Sequence, residues 1–398
     1  MATESVNEPS PESFGARVLG RPKTSRSILI AADHLRLLLS VFEFILKAQF
    51  DTIYLQSSVA DNARANQRAQ AILARFPEAE VIEVPTHLRI ADLHHADPQD
   101  WIDIKRHKLV LGMRSTMTHK VNGRSADFIA AGMSVGCLSA CSYCYVARWR
   151  GGSNPLTIFC NVDAIADSIE RHQRRRGPKT TPNQCDDRYW TYDIGCNADL
   201  SLDASVCDHP KVMVERFANM RYAKATFATK TVAEDVWTSV DPKGRTRIRY
   251  SLMPAGQAKH IDIGTTAMHR RIKSINTLVD AGYEVHVNFS PIVLTGSPDD
   301  DWLAPWRELW TQVDDELSPA AKKQLACEAF FLTHSKSLHE RNLQWHPKGE
   351  ELLWTPETQR YKGPGVLTYK RDVRETQKLR FAAQLEQHLP YCPVRYSF

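Results

Sequence analysis

The sequence has no long apolar run. Its most apolar stretch, residues 35–50, is interrupted by Glu43 and Lys47 and is too short to cross a bilayer. Residues 1–22 are polar and lack the apolar segment of a secretory signal. We therefore expect a chain that stays in the cytoplasm and has no membrane partner.

The chain also lacks a Gly-rich dinucleotide-binding fingerprint and an internal repeat. Its cysteine count of nine is odd, and three of these cysteines fall within positions 137–144. In a reducing compartment this pattern indicates metal or redox chemistry rather than a disulfide framework. The net charge of +5 is mildly basic, which permits an anionic partner such as nucleic acid without requiring one.

The sequence contains enough apolar residues for a large core. Of its 398 residues, 42% are hydrophobic and 24% are charged. Strand patterns lie at residues 51–56, 79–84, 108–112, 188–194, 224–229, 245–252 and 284–293. Helix patterns lie at residues 35–50, 63–76, 163–175 and 266–280. Alternation repeated this often predicts an α/β fold with a parallel sheet, either open or closed into a barrel.

The pattern changes after residue 297. An acidic segment at 298–301 precedes Trp302, Trp306 and Trp310, which recur every four residues on one helical face. Such a stripe is typical of core packing. A loop is predicted at residues 361–366, and a charged helix is predicted at 372–389.

The strongest chemical signal is a loop with the spacing C-x3-C-x2-C, formed by Cys137, Cys141 and Cys144. Three thiolates on one short loop can ligate three irons of a 4Fe–4S cube. The fourth iron then has no protein ligand, which leaves a place for the amino and carboxylate groups of S-adenosylmethionine (SAM). A structural zinc site is the alternative, but it normally takes four protein ligands, and no fourth Cys or His stands at short spacing.

This loop resembles that of the radical SAM superfamily, in which an aromatic residue such as Tyr143 commonly precedes the third cysteine. The resemblance implies a partial (β/α)6 TIM-like barrel with the cluster at its C-terminal mouth. It also implies reductive cleavage of SAM to methionine and a 5′-deoxyadenosyl radical. The domains expected on this basis are a disordered tail at residues 1–26, an N-terminal α/β domain at 27–125, the radical SAM partial barrel at 126–340 and a C-terminal extension at 341–398.

Several segments resemble, in the same order, the spore photoproduct lyase family of DNA repair enzymes. They are KLVLGMRS at 108–115, CSYCY at 141–145, YDIGCNAD at 192–199, FATK at 227–230, RTRIRYSL at 245–252 and NFSPI at 288–292. The resemblance spans roughly residues 50–385, and the order and spacing of the segments are more specific than any one of them.

The resemblance implies a path for hydrogen transfer. Cys196 matches the family's hydrogen donor, which quenches the thymine radical that remains after the methylene bridge of a thymine pair fragments. Tyr143 and Tyr145 match tyrosines that help to return a hydrogen atom to deoxyadenosine and regenerate SAM. The structural alternatives are a small buried core cysteine and tyrosines that pack around the cluster.

The same resemblance implies contacts to SAM. Lys230 and Ser251 match residues that bind its polar groups, and Tyr143 belongs to the same binding set. Asp193 occupies the place of an acidic residue near the ammonium group of SAM. At Ala198 the family has a serine that contacts SAM, so the chain departs from the pattern there.

The match is weaker at the substrate end. His334 matches a histidine that contacts the lesion, whereas the family's Arg-Tyr pair has no clean equivalent and Tyr361 with Lys362 is the nearest candidate. Two basic segments are candidates for contacts to phosphate, because such charges bind phosphate without sequence preference. They are the run at residues 171–179 and the arginines Arg245, Arg247 and Arg249 on one strand face.

We therefore predict a SAM-dependent lyase that reverses a thymine photoproduct in damaged DNA. Its cofactors would be a 4Fe–4S cluster and SAM, and its electron donor a protein such as flavodoxin or ferredoxin. A lesion within a duplex would have to be flipped out to reach the cluster. Two alternatives stay open: an enzyme of the same family that acts on another pyrimidine lesion or an RNA base, and a non-catalytic metal- and nucleic-acid-binding protein.

Overall fold

The computed structural model describes residues 49–94, 97, 100–296, 301–363 and 365–398. The tail predicted at residues 1–26, most of the helix predicted at 35–50 and most of the acidic segment at 298–301 lie outside the described residues. Within the described part, no helix is both long enough and apolar enough to span a bilayer.

The strands and helices are numbered in chain order. The strands are β1 Thr52–Gln56, β2 Glu80–Val84, β3 Lys108–Gly112, β4 Lys120–Val121, β5 Phe128–Ile129, β6 Ser134–Val135, β7 Leu156–Phe159, β8 Trp190–Asp193, β9 Ala223–Thr229, β10 Thr246–Leu252, β11 Glu284–Ile292, β12 Cys327–Phe331, β13 Thr333–Ser335, β14 Gln359–Tyr361, β15 Val366–Tyr369 and β16 Val394–Ser397. The α-helices are α1 Ala63–Leu73, α2 Ala91–His94, α3 Trp101–His107, α4 Tyr145–Arg150, α5 Val162–Arg176, α6 Leu200–Asp203, α7 His209–Ala218, α8 Glu234–Trp237, α9 Ala255–Ile261, α10 Met268–Asp280, α11 Ala304–Glu316, α12 Pro319–Gln324, α13 Lys336–Trp345, α14 Pro347–Leu353 and α15 Arg371–His388. The strands and helices predicted within the described residues are all present, with ends within a few residues of those expected.

The first sheet has the strand order β2-β1-β3-β7-β6. Its strands are parallel except for β6, which is antiparallel to β7. Apolar side chains of β1, β3 and β7, including Ile53, Leu109 and Ile158, are buried in one core with side chains of α1. Because β6 leads directly into the cysteine loop, this sheet holds one end of that loop. β6 and β7 belong to this sheet although they lie after residue 125, where the N-terminal domain is predicted to end. The predicted domain boundaries stay a prediction.

The second sheet has the strand order β16-β12-β11-β10-β9-β8-β5-β4. Its six neighbouring strands β5 and β8 to β12 are parallel and follow one another in chain order. Helices lie between consecutive strands of this set, as parallel pairing requires. Six parallel strands with helical crossovers are the partial (β/α)6 arrangement that was predicted.

The C-terminal part of the half-barrel is covered by aromatic packing. Trp306 and Trp310 on α11, and Trp302 just before it, are buried around Phe381 of α15. Burial of each such side chain stabilises the fold by on the order of 3 kcal/mol. The interpretation of the tryptophan stripe as core packing is confirmed.

A small third sheet has the order β13-β15-β14 and is antiparallel. The loop predicted at residues 361–366 contains the turn between β14 and β15. His334 therefore lies on β13, Tyr361 at the end of β14 and Lys362 in the turn that follows. All three candidate substrate contacts belong to this one sheet and its turn.

Candidate active site

The cysteine loop runs from β6 to α4 and is held by backbone hydrogen bonds. Ala140 and Ser142 donate their N–H groups to the carbonyl oxygens of Ile263 and Ile261, each at 2.9 Å. Gly136 has a φ of +88°, and a Cβ atom there would lie 2.3 Å from a neighbouring backbone carbonyl oxygen. Only glycine fits where the loop begins, because it lacks that atom and tolerates this φ.

None of the three loop cysteines forms a disulfide bond. Burial raises the pKa of Cys137 to about 12 and also raises the pKa of Cys141. The ammonium group of Lys105 donates to the carbonyl oxygen of Cys137 at 3.0 Å, and that of Lys230 lies 3.9 Å from the sulfur of Cys141. Because a thiol must lose its proton to bind a metal, these two cations favour the ligating form.

This donor set fits an iron–sulfur cube better than a single metal ion. Among the described residues, no three His, Cys, Asp or Glu side chains converge on a point where one ion could be bound. A structural zinc site needs four ligands around one ion, whereas three thiolates can each bind a different iron of a cube. Cys137, Cys141 and Cys144 are therefore suited to hold a 4Fe–4S cluster.

Lys230, directly after β9, lies beside the loop in a buried ionic network. Its ammonium group donates to Oδ1 of Asp262 at 2.9 Å and to the hydroxyl of Tyr143, which donates to the same carboxylate oxygen. Arg271 donates to the other carboxylate oxygen at 3.2 Å. Although burial opposes both charges, their attraction holds the pKa of Asp262 below and that of Lys230 above the ordinary values. Lys230 is thus held as a cation next to Cys141.

Asp199 fixes the backbone that carries Lys230. Its carboxylate accepts hydrogen bonds from the N–H of Lys230 at 2.9 Å and from the hydroxyl of Thr229 at 2.6 Å. The same side chain caps α6 by accepting from the N–H of Leu202 at 3.3 Å. The segments at 192–199 and 227–230 are therefore tied together at the carboxyl ends of β8 and β9.

Tyr145 and Cys196 meet where the cysteine loop ends. The phenolic oxygen of Tyr145 lies 3.6 Å from the sulfur of Cys196, and it donates to the carbonyl oxygen of Cys196 and to Oδ1 of Asn197. Burial, assisted by the nearby Asp193, raises the pKa of Cys196 to about 11. The thiol therefore keeps its proton at neutral pH, as a donor of a hydrogen atom must.

Asp193 and Ser251 lie on the inner face of the half-barrel. Asp193, at the end of β8, binds Arg249 of β10 at 2.8 Å, and Arg249 also binds Glu328 of β12 at 3.0 Å. Ser251 is two positions further along β10, so it is on the same face, and it is buried. Ala198 is partly buried in the loop after β8.

The structure brings most of the predicted site residues together beside the cysteine loop. Those at or just after the carboxyl ends of β8, β9 and β10 are Asp193, Cys196, Ala198, Lys230 and Ser251. Tyr143 and Tyr145 reach this group from the loop through the contacts to Lys230 and Cys196. Sites at the carboxyl ends of parallel strands are the rule in such folds. The individual roles of these residues stay predictions.

The predicted substrate contacts lie elsewhere. His334 is buried, and its Nε2 lies 2.7 Å from Oε1 of Glu350. Glu350 also accepts a hydrogen bond from Asn342, which donates to a backbone carbonyl oxygen in the cysteine loop at 2.7 Å. Tyr361 is 57% exposed, and Lys362 is exposed. Across the described residues, no hydrogen bond joins these candidates to the group around Cys196, and their assignment as lesion contacts stays a prediction.

Several cations of the two basic segments expected to contact phosphate are paired with carboxylates inside the protein. Arg247 and Arg249 share a strand face, as predicted, but both are buried in ion pairs with carboxylates of neighbouring strands. In the run at residues 171–179, Lys179 is buried and binds Asp127 at 3.0 Å. The expectation of an open phosphate-binding surface is wrong for these three cations, because a buried charge requires a partner of opposite sign.

The sequence reasoning missed Asp262 and Arg271. A signal for them existed, because Arg271 falls on the apolar face of α10 between Met268 and Ile275 and is only 1% exposed. A charged residue at a buried helical position requires a buried partner of opposite charge, which here is Asp262. Asn342 gave no such signal in the sequence, because its contact in the cysteine loop is a backbone carbonyl oxygen, which every residue has.

Comparison with known proteins agrees with this geometry. The sequence model for spore photoproduct lyase matches residues 49–397. The chain belongs to the spore photoproduct lyase family. A spore photoproduct lyase of Bacillus subtilis (strain 168) is 22% identical over 324 residues, which cover 80% of this chain and 90% of the relative. A spore photoproduct lyase of Geobacillus sp. (strain Y412MC61) is 23% identical over 296 residues, which cover 72% and 81%.

Solved structures of spore photoproduct lyase have the same fold. One that is complexed with dinucleoside spore photoproduct has a TM-score of 0.77 and 19% identity, covering 88% of this chain and 99% of its own. A mutant with bound AdoMet and the same dinucleoside also has a TM-score of 0.77, covering 88% of this chain and all of its own. The predicted fold is confirmed. Membership of the spore photoproduct lyase family also confirms the radical SAM lyase class and its cofactors, and it overturns the non-catalytic alternative.

Proposed function

We propose that this chain repairs DNA by reversing a thymine photoproduct of the spore photoproduct type through radical chemistry. The observation that carries the proposal is the contact between the thiol of Cys196 and Tyr145 at the edge of the cysteine loop. Relatives solved with dinucleoside spore photoproduct support the choice of lesion. DNA that contains the lesion is therefore the proposed partner.

The residues around the loop are suited to bind SAM. When bound, the cluster and SAM supply a 5′-deoxyadenosyl radical. Lys230, held charged by Asp262, can bind the carboxylate of SAM. Asp193 can accept a hydrogen bond from its amino group, and Ser251 can bind a polar group of SAM. Ala198 provides no hydroxyl, so this chain has one contact fewer than a relative with serine.

Cys196 decides which product forms. Abstraction of a hydrogen atom from the lesion and cleavage of the methylene bridge leave one thymine with an unpaired electron. The S–H bond of Cys196 then breaks homolytically, and the hydrogen atom passes to that carbon, so the sulfur carries the unpaired electron. The O–H group of Tyr145 can restore the thiol by giving its hydrogen atom to the sulfur. Tyr143 would then give a hydrogen atom to Tyr145 and take one from 5′-deoxyadenosine, which would allow SAM to form again.

Product analysis under anaerobic conditions tests the proposal. Cluster-loaded protein is reduced with dithionite and incubated with SAM and the dinucleotide spore photoproduct, in which a phosphate joins the two thymidines, and the products are separated by liquid chromatography. We expect intact thymidylyl-thymidine. An unchanged lesion in a sample that still cleaves SAM would refute the substrate assignment. A Cys141→Ala variant, which lacks one cluster ligand, should give neither repair nor SAM cleavage.

A second candidate is an enzyme of the same family that acts on another pyrimidine lesion or on an RNA base. It is favoured by two departures from the family pattern: Ala198 replaces a serine that contacts SAM, and at the substrate side Tyr361 with Lys362 stands in place of an Arg-Tyr pair. Parallel incubations with spore photoproduct, cyclobutane thymine dimers and undamaged RNA separate the two candidates. Only the true substrate is converted when SAM is present and left unchanged when SAM is absent.

The electron donor and the location in the cell are part of the same proposal. The reducing electron would come from a small donor protein such as flavodoxin or ferredoxin, because reductive cleavage of SAM consumes one electron that the lesion does not supply. A cytoplasmic location suits both that donor and the free thiols. Replacing dithionite with a reduced flavodoxin in the repair assay tests the donor directly.

A further inference from the structure

A second cavity lies at the opposite end of the half-barrel from the cysteine loop. It has a volume of about 620 Å³ and is lined by residues at the amino ends of the strands, including Tyr189, Lys224, Arg247 and Glu284. Lys224 and Lys230 stand at opposite ends of β9. At roughly 3.3 Å per residue, these ends are roughly 20 Å apart. The cavity is therefore separate from the proposed active site.

The lining of this cavity carries an excess of positive charge. Six of its side chains are Lys or Arg and three are Asp or Glu, which leaves a net charge of +3. Two of the three carboxylates, Asp186 and Glu284, already bind Lys224 and Arg247. In the part of the chain that the structure describes, no ion pair joins a carboxylate to the other positive groups at the opening. These are Arg188, Lys243 and Arg245.

Two guanidinium groups, the buried one of Arg247 and the partly buried one of Arg395, meet at the inner end of the cavity. Arg247 and Arg395 both donate to the carbonyl oxygen of Cys185, at 2.6 Å and 3.1 Å. The carboxylate of Glu328 is 3.8 Å from Arg395 and is shared with Arg249. Burial, together with the charge of Arg247, lowers the pKa of Arg395 to about 10. The carboxylates of Asp186, Glu284 and Glu328 thus pair with the cations at the inner end, and the surplus positive charge lies at the opening.

We propose that this cavity is a second binding site, which takes the phosphate group of an anionic ligand. Arg188, Lys243 and Arg245 at the opening would bind its oxygens, since guanidinium and ammonium groups form charge-assisted hydrogen bonds with phosphate. Arg245 is held in place at the opening, 3.7 Å from the centroid of the Tyr189 ring. Ion pairs within the half-barrel account for Lys224 with Asp186 and Glu284. They do not account for the surplus cations at the opening.

Phosphate of this kind occurs in small metabolites and in the backbone of nucleic acid. Pyrophosphate is the probe for the shared chemistry, and a short single-stranded oligonucleotide distinguishes the sources. If the oligonucleotide displaces pyrophosphate, the ligand is a nucleic acid strand. If it does not, the ligand is a small phosphate compound. Both results support a phosphate site.

The experiment is calorimetric titration of pyrophosphate into the full-length, cluster-loaded protein with SAM at saturation, so that the SAM site is already occupied. We expect the wild type to bind and the double variant Arg188→Gln/Lys243→Gln to bind at least about tenfold more weakly, because each charged hydrogen bond is worth about 1.5–3 kcal/mol. The matched control is Arg64→Gln/Lys323→Gln, which removes the same charge at exposed positions outside the cavity.

The outcomes separate cleanly. The control double variant should bind pyrophosphate as the wild type does, and both double variants should cleave SAM at the wild-type rate, which shows that they fold. Absence of binding to the wild type at millimolar pyrophosphate overturns the proposal. Equal affinity of the two double variants overturns it as well.

Discussion

The sulfur of Cys196 lies 3.6 Å from the phenolic oxygen of Tyr145, although 51 positions separate the two residues in the chain. Tyr145 immediately follows the third cysteine of the loop, and Cys196 comes shortly after β8. An S–H and an O–H group, each able to give up a hydrogen atom, therefore stand in contact at the edge of the proposed radical site. The roles of these two residues and of the residues around them can be tested by measurement.

Replacing Cys196 by Ala removes the S–H bond and leaves the SAM site unchanged. We expect 5′-deoxyadenosine formation to continue within about twofold, a change worth only about 0.4 kcal/mol in a barrier, while formation of intact thymidylyl-thymidine falls at least about tenfold. Liquid chromatography of both products measures the two rates. The matched control is Cys160→Ala, in the core of the first sheet. Loss of SAM cleavage with an intact cluster would show that the donor role is wrong.

Replacing Tyr145 by Phe keeps the ring and removes the O–H group that contacts the thiol. The thiyl sulfur then lacks its nearest hydrogen source, so we expect more SAM to be consumed for each lesion repaired. The ratio of 5′-deoxyadenosine to repaired dinucleotide measures this. Tyr222→Phe, at the amino end of β9, should leave the ratio unchanged. An unchanged ratio in Tyr145→Phe would remove Tyr145 from the path.

Replacing Asp262 by Asn leaves Lys230 and Arg271 buried without their shared carboxylate. We expect the free energy of unfolding to fall by about 3–5 kcal/mol, as when one partner of a buried ion pair is removed. SAM should also bind more weakly, because Lys230 is no longer held in place. Urea unfolding and SAM titration measure the two effects. Asp280→Asn, exposed at the end of α10, serves as the control. Wild-type stability in Asp262→Asn would contradict the network.

Replacing Ala198 by Ser restores the hydroxyl that the family has at this position. If the loop after β8 contacts SAM, one added hydrogen bond should tighten SAM binding by about fivefold, or about 1 kcal/mol. Equilibrium binding to the cluster-loaded protein measures the affinity. Ala233→Ser, in the segment before α8, should leave it unchanged. Weaker binding in Ala198→Ser would show that this loop is packed differently from the family pattern.

Glu284 should make stability depend on pH. Burial raises its pKa, but His286, Arg247 and Lys224 outweigh burial and hold the pKa well below its ordinary value. Because the folded pKa is depressed, the stabilisation is complete above the unfolded pKa of about 4.3 and is lost as the pH falls through the folded pKa. Glu284→Gln should therefore be less stable than the wild type at pH 7 by about 3 kcal/mol.

The difference between wild type and Glu284→Gln should shrink as the pH falls from 6 toward 3. Urea midpoints at a series of pH values measure it. Glu316→Gln, exposed at the end of α11, should follow the wild type at each pH. A difference that stays constant with pH would show that the carboxylate is not held ionised by its neighbours.

Part of the site could be predicted because its residues are neighbours in the chain. Cys137, Cys141 and Cys144 lie on one loop, so their spacing alone indicates a shared metal cluster. Cys196 and Lys230 could be singled out only through the resemblance to a family, since an isolated cysteine or lysine has no distinctive pattern. Asp262 could not be predicted from the sequence, because its function depends on two cations that approach it from other elements.

The sequence by itself determined the order of strands and helices and the three thiols of the cysteine loop, because hydrophobic periodicity and ligand spacing are local properties. Only the tertiary structure decided that Tyr145 meets Cys196, since this requires the curvature that sets β8 beside the loop. It also decided that Arg247 is buried in ion pairs beside a second cavity instead of facing DNA. Which side of a strand faces inward, and which charges meet there, depends on contacts between residues far apart in the chain.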